Sequence, residues 1–259
     1  MTEIRVERQG PVAHVILDRP GKLNALRPEA LSVLQATVRE LDSDRSVRVV
    51  VLSGAGQAFC TGVDLGTVDG DAGVGALSAE IALQMQDTLA AIENSAVPWI
   101  AAVHGIACAG GLELTLACDV VVAAEGTRLG DFHARYGLFP GGGASQRLPR
   151  LVGERRARWL LLSGDWIDAA KAARWGLVTE VVPAGQLLDR ANAMAGLLAR
   201  RSPLLAEAIK QALRVGAQTS LPTALQAERP IFRQYMASEH ASTGLRAFMS
   251  QTEPVFDDR

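Results

Sequence analysis

Cysteine is scarce in this 259-residue chain. Cys60, Cys108 and Cys118 are odd in number and lack paired metal-ligand spacing, which argues against a disulfide scaffold and a structural zinc site. An excess of either charge is missing too. Lys and Arg total 26 against 28 Asp and Glu, a net charge of −2 that leaves no electrostatic footprint for a nucleic acid. No third glycine completes Gly54 and Gly56 into a dinucleotide fingerprint, since Phe59 stands in its place, and no Gly-Lys-Ser/Thr phosphate loop occurs. Nor is any apolar run long enough to predict a membrane span. Ala96 to Ala124 comes nearest, but Pro98, His104, Glu113, Asp119 and three glycines interrupt it, and acidic groups near a bilayer centre are costly. It reads as a buried strand, a turn and a buried helix. The first residues, MTEIRVERQG, are polar and charged, unlike a signal or transit peptide. The expectation is a soluble protein of a reducing, cytoplasmic compartment.

What is present is a chain with 48% hydrophobic residues, enough to bury a large core. Ile4–Arg8 and Val12–Asp18 read as strands joined at Gln9-Gly10-Pro11. Pro28 opens a helix whose Leu31, Leu34, Val38 and Leu41 share one face. Val47–Leu52 is β-branched without polar alternation, the pattern of a strand covered on both sides. A helix over Leu77–Ile92, a strand over Trp99–Val103, a short helix over Leu112–Ala117 and a strand over Val120–Ala123 continue the alternation. Such alternation predicts parallel pairing with helical crossovers. Beyond Val152 only Val178–Val182 reads as strand. Helices follow over Gln186–Arg200, Leu204–Val215, Thr223–Met236 and Ser238–Phe248. The expectation is an α/β core over residues 1–190 and a helical C-terminal region over 191–259, serving oligomerisation or covering the active site. Trp159, Trp166 and Trp175 fall among helices and are expected in the core. Gly66–Gly75 is the most loop-like stretch, either a mobile cover or an ordinary surface loop.

Three glycine-bearing segments carry the chemistry. Val49–Leu65 is a strand followed by turns at Ser53-Gly54 and Thr61-Gly62, which can aim a backbone N–H into a cleft. Val103–Glu113 is a strand running into Gly110-Gly111, where a helix starts with free N–H groups and the positive end of its dipole. One N–H from each segment could hold the oxygen of a polarised carbonyl, and losing such a donor costs about 2.7–4 kcal/mol of transition-state stabilisation. Glu113 has an ordinary reading beside the functional one, because an acid in the first turn stabilises any helix. In the third segment, Leu129–Arg147, Asp131 and His133 share a face if the chain is extended. Alone, that spacing does not distinguish a catalytic histidine from a structural one.

Taken together these segments resemble the crotonase superfamily, the enoyl-CoA hydratase/isomerase family. The resemblance rests on five stretches in family order: DRPGKLNAL (Asp18–Leu26), AFCTGVDL (Ala58–Leu65), PWIAAVHGIACAGGLELTLACD (Pro98–Asp119), GLFPGGGASQRL (Gly137–Leu148) and LSGDWIDAAKAARWGLVTEVVP (Leu162–Pro183). It implies a spiral of ββα repeats, a helical C-terminal region, and a homotrimer or dimer of trimers. It also implies an acyl-CoA substrate and no metal or redox cofactor, since the thioester is itself the electron sink.

Carried over by position, the resemblance assigns the oxyanion hole to the backbone N–H groups of Val63 and Gly110. It places Thr61, Asp64 and Leu65 at the adenine-end pocket, and Lys22, Asn24 and Ala25 in the segment that meets CoA. Of the two glutamates that hold water in family hydratases, the first matches Glu113. The second position is His133, a departure, with Asp131 placed to orient it. Imidazole can still donate or accept a proton near neutral pH. The implied reaction is hydration of a trans-2-enoyl-CoA. The alternatives are another crotonase reaction (isomerase, decarboxylase or hydrolase) and a non-catalytic acyl-CoA-binding protein; Phe132, Leu138 and Phe139 are expected in the acyl wall. A basic cluster that relatives carry near the C-terminus is missing from Phe248–Pro254, so CoA phosphates would need arginines from elsewhere.

Overall fold

Val49–Gly54 (β3) holds the molecule together because it is apolar on both faces. Val50 and Leu52 point into the main core, whereas Val49 and Val51 point into a second core on the opposite side. A computed structural model describes residues 3–64, 66 and 74–258, with only the backbone described over 74–78. In it β1 (Ile4–Gln9) and β2 (Val12–Leu17) form an antiparallel hairpin. Parallel strands then add in the order β2, β3, β4 (Trp99–Val103), β6 (Val120–Ala124) and β9 (Glu180–Val182). Each parallel step needs a crossover. Helix α1 (Pro28–Ser43) supplies the one between β2 and β3, and α2 (Val74–Asn94) the one between β3 and β4.

The α/β expectation and the parallel order hold, with strand and helix ends moving by a few residues. Beyond that reading lies a second sheet of three short strands, β5 (Ile106–Cys108), β7 (Arg128–Gly130) and β8 (Ile167–Asp168). Strands of two or three residues carry no readable alternation. The apolar stretch from residue 96 to 124 becomes β4, β5, α3 (Gly110–Ala117) and β6. No helix among the described residues is long and apolar enough to cross a membrane.

After β7 come α4 (Ala144–Val152), α5 (Glu154–Ser163) and α6 (Ala169–Trp175). The expectation for Trp159 is corrected here, because its side chain is 54% exposed. On α5 the buried face is Ala157 and Leu160, and Trp159 projects from another face. Trp166 and Trp175 are half-buried, Trp175 against the core. Helix α7 (Leu187–Ala199) seals the second core with Leu187, Ala191, Ala195 and Ala199, a stripe spaced by four residues. Helices α8 (Pro203–Ala217), α9 (Leu221–Met236) and α10 (Glu239–Ser250) follow. Buried Lys210 of α8 ties that helix to the core, bonding Asp119 Oδ2 at 2.6 Å and the Val97 carbonyl at 3.0 Å.

Asn24 organises the ground beneath the site. It adopts a left-handed backbone, φ 58°, which asparagine tolerates. Its side chain is buried, donates to the carbonyls of Ala55, Ala58 and Phe59, and accepts from the Arg19 N–H. Leaving such carbonyls without a partner costs about 1–3 kcal/mol each. Asn24→Ala is therefore expected to lower unfolding stability by about 2–4 kcal/mol in a urea titration, and a loss under ~0.5 kcal/mol would show that the clasp carries no weight.

Candidate active site

Two backbone segments meet at the mouth of a cleft of about 700 Å³. The first, Cys60–Asp64, bridges outward to Leu26: Leu26 N–H bonds Gly62 O at 2.7 Å and Asp64 N–H bonds Leu26 O at 2.8 Å. That alternation turns the Val63 N–H to the other side. The second segment enters α3 through Cys108-Ala109-Gly110, fastened to the first by Cys108 N–H to Cys60 O at 3.1 Å. A Cβ on Gly110 would lie 3.5 Å from the Val63 nitrogen, and a Cβ on Gly62 would press within 2.7 Å of the Gly110 nitrogen. Only glycines permit this approach, and Gly62 also needs φ +94°. Neither the Val63 nor the Gly110 N–H has an acceptor among the described residues.

Ala109 enters the turn with φ 50° and ψ −124°, a conformation that costs a residue with a Cβ about 1–3 kcal/mol. This strain lies at the peptide that carries the Gly110 N–H. Two such N–H groups side by side could together hold one oxygen.

Glu113 stands one turn into α3, buried at 2% exposure. Its Oε1 accepts the Ala144 N–H at 3.0 Å. Burial raises its carboxyl above the ordinary value. The Ala144 hydrogen bond and the charges of His133 and Arg147 oppose that rise, and Asp131 adds to it. Across the cleft, His133 opens a 3-10 turn over His133–Tyr136. Its Nδ1 lies 3.1 Å from Oδ1 of fully buried Asp131. Burial disfavours the imidazolium, yet the hydrogen bond and charge of Asp131 and the charge of Glu113 prevail, so the His133 pKa rises above the ordinary value. With Nδ1 held by Asp131, Nε2 is left for the cleft. A base with raised proton affinity thus shares a cavity with an imidazole biased toward its charged form.

The glycine turn Gly141–Gly143 closes the site behind Glu113. A Cβ on Gly142 would overlap Glu113 Oε2, and Gly143 has φ +97°. Arg147 grips this turn through Nη1 to the Gly142 carbonyl at 2.6 Å, and makes a two-pronged pair with Glu93 at 2.5 and 2.7 Å. The sequence reading missed both residues, which lie 54 positions apart with no local signal linking them.

Of the residues picked from sequence, Thr61, Val63, Gly110, Glu113 and His133 line the cleft. Asp131 reaches it through His133. Lys22, Asn24, Ala25 and Asp64 do not line it. They flank the Leu26 bridge, where Asn24 is spent on backbone groups, Ala25 O accepts from Arg19, and Asp64 pairs with Arg19 at 2.6 Å. Arg19 holds the Asp64 carboxyl below the usual range by that hydrogen bond. Leu65 lies outside the described residues, as does most of the predicted Gly66–Gly75 loop.

Phe132, Leu138 and Phe139 line the cleft, together with Ile81, Ala82 and Met85 of α2. Cys108 also faces the cleft. Burial, then Asp131, pushes its thiol up to about 11, which keeps it protonated and a weak nucleophile at neutral pH.

Known proteins bear on this geometry. Residues 7–259 match the family model described as enoyl-CoA hydratase/isomerase. The chain is 37% identical to a 2,3-dehydroadipyl-CoA hydratase of Escherichia coli over the full length of both. It is 36% identical to a Mycobacterium bovis protein named probable enoyl-CoA hydratase, over 99% of this chain and 98% of that one. The crystal structure of an enoyl-CoA hydratase from Bacillus anthracis superposes with a TM-score of 0.94 at 34% identity, covering 98% of both chains.

Gly142→Ala tests the packing behind Glu113. The new methyl meets the end of a side chain that can swing away, so the carboxylate and not the fold gives way. Activity is expected to fall about 10²-fold with the melting temperature near wild type. Full activity in a folded variant would show that Glu113 tolerates displacement.

Proposed function

The chain belongs to the enoyl-CoA hydratase/isomerase family, and on that footing we propose that it adds water across the C2–C3 double bond of a trans-2-enoyl-CoA. One observation carries the reading: the backbone N–H groups of Val63 and Gly110, without acceptors among the described residues, share a largely apolar cleft with Glu113 and His133. The thioester oxygen sits between the Val63 and Gly110 N–H groups, which favour the enolate over the neutral carbonyl because its charge is greater.

A water lies between Glu113 and His133. Glu113 removes one of its protons as the oxygen bonds to C3, and the double-bond electrons move to the thioester oxygen. The His133 imidazolium then gives its Nε2 proton to C2. Glu113 ends protonated and His133 neutral, and a proton passed from one to the other resets the pair. No metal or redox cofactor enters this sequence. Asp131 keeps the imidazole oriented and charged until the transfer. Thr61 borders the cleft on the Cys60–Asp64 side. The neighbouring residues Lys22, Asn24, Ala25 and Asp64, with Leu65, are assigned to the CoA moiety.

The proposal extends to assembly. Helices α9 and α10 leave Leu225, Phe232, Leu245 and Phe248 more than half exposed, an apolar face of the kind that protein partners cover. A homotrimer, or a dimer of trimers, would cover it. The cysteines are free, which fits a reducing cytoplasmic compartment.

Loss of the conjugated-thioester absorbance with short and long trans-2-enoyl-CoA substrates tests the reaction. Wild type should hydrate at least one chain length, and Glu113→Ala should lose about 10²–10⁴-fold. Saturable binding without turnover at any length would overturn hydration.

The pH profile tests His133. Activity should fall at low pH as Glu113 protonates, above the ordinary glutamate range, and at high pH as His133 deprotonates, above the ordinary histidine value. The two limbs belong to the coupled pair. Asp131→Asn removes the anion that favours the imidazolium, so its alkaline limb should move to lower pH. An unmoved limb would exclude Asp131 from the reaction.

A further inference from the structure

We propose that Arg147, oriented by Glu93, is the positioning residue that keeps the Glu113 carboxylate aimed into the cleft. The inference rests on Glu113 being the base of the proposed hydration. Among the described residues the Glu113 carboxylate accepts one hydrogen bond, from the Ala144 N–H. Ala144 begins α4 directly after the glycine turn, so the direction of that N–H is set by Gly142 and Gly143. Neither glycine has a side chain to brace the turn. The brace comes from one turn of helix further on, where Arg147 Nη1 donates to the Gly142 carbonyl at 2.6 Å.

The guanidinium is itself fixed. Its Nε and Nη2 lie 2.5 and 2.7 Å from the two carboxylate oxygens of Glu93, near the end of α2. A planar fork on a carboxylate fixes orientation as well as distance. Helix α2 also supplies Ile81, Ala82 and Met85 to the cleft wall, and Gln86 Nε2 donates to the Gly141 carbonyl at 2.6 Å. The helix that forms the wall therefore holds two consecutive carbonyls of the turn behind the base, one directly and one through Arg147. On its other side Arg147 borders a separate cavity of about 650 Å³, so it stands in the partition between the two.

Arg147 also has an electrostatic part. The charged groups that act on Glu113 are His133, Asp131 and Arg147. Arg147 is one of the two cations among them. It favours the carboxylate form without touching the cleft, so removing it should weaken the base's ionisation as well as its aim.

The test compares Arg147→Gln, Arg147→Lys and Glu93→Gln by steady-state kinetics across pH. The Glu113 carboxyl is titrated in parallel by carbon NMR of ligand-free protein carrying 13C-labelled glutamate, with Glu113→Gln identifying the resonance. Arg147→Gln should lower kcat by about 10²-fold with KM within about twofold, and should move both the acid limb and the Glu113 titration to higher pH. Arg147→Lys keeps the charge but not the fork, so kcat should fall less and the titration should stay near wild type. Glu93→Gln leaves the charge while loosening its aim, so kcat should drop without an upward move of the titration; it serves equally if Arg147→Gln does not fold. A wild-type kcat and an unmoved titration in Arg147→Gln would overturn the proposal. So would a rise in KM at constant kcat, which would make Arg147 a support of the binding wall. If no thioester is hydrated even by wild type, hydration falls, while the NMR titration still decides whether Arg147 governs Glu113.

Discussion

The close backbone approach between Gly62 and Gly110 is the constraint on which the remainder of the site rests. Where two chain segments pass this near, side chains must be absent, and the peptide groups themselves become the functional surface. Cys60 and Ala107 pair across the gap, Gly111 fits against the Cys60 carbonyl, and the Val63 and Gly110 N–H groups come to lie together. The rest of the fold can be read as support for that contact. The two-sided burial of β3 fixes where the first segment leaves the sheet. The Asn24 clasp holds Ala55, Ala58 and Phe59 on the way to it, and β4 delivers the second segment from the neighbouring strand. The strained Ala109 is tolerated because both sides of the turn are already tied down.

Beside this backbone device stands a balance of side-chain charges. Burial alone would neutralise Glu113, and burial alone would discharge His133. Burial is opposed at Glu113 by the Ala144 hydrogen bond and then by the charges of His133 and Arg147, and at His133 by Asp131 and then by Glu113. The order Asp131, His133, cleft, Glu113, Arg147 alternates anion and cation across the site. A second carboxylate at position 133 would give no such alternation, so the histidine changes the electrostatics of the cleft and not merely the identity of a proton donor.

Much of this was legible in the sequence, and the reasons for the gaps are physical. The β-branched run at Val47–Leu52 announces a strand covered on both faces, because only burial on both sides rewards unbroken hydrophobicity. The glycine turns at Thr61-Gly62 and Gly110-Gly111 announce backbone N–H groups that can face a cleft. Asp131 and His133 are two residues apart, near enough for their pairing to be foreseen. Arg147 and Glu93 are not, since their partnership depends on how α4 crosses α2. Asn24 has a structural role that the sequence does not announce, since its side-chain amide turns inward to backbone carbonyls that no local pattern marks as needing a donor. Trp159 was assigned to the core by residue type, but the helix buries Ala157 and Leu160 and leaves the larger ring outside. Side-chain bulk predicts burial poorly when a neighbouring small residue suits the available space better.

The two halves of the site differ in how they can change through descent. A hydrogen-bond donor built from main chain is not encoded by any side chain. At Val63 only proline removes the N–H outright, and a substitution at Gly110 acts through the space its Cβ takes. Glu113, His133 and Asp131, by contrast, are each one codon away from a different proton inventory. A lineage carrying this scaffold can therefore keep its pair of backbone donors while its acid–base groups drift. Position 133, an imidazole held by Asp131 and sharing the cleft with Glu113, is one such changeable point.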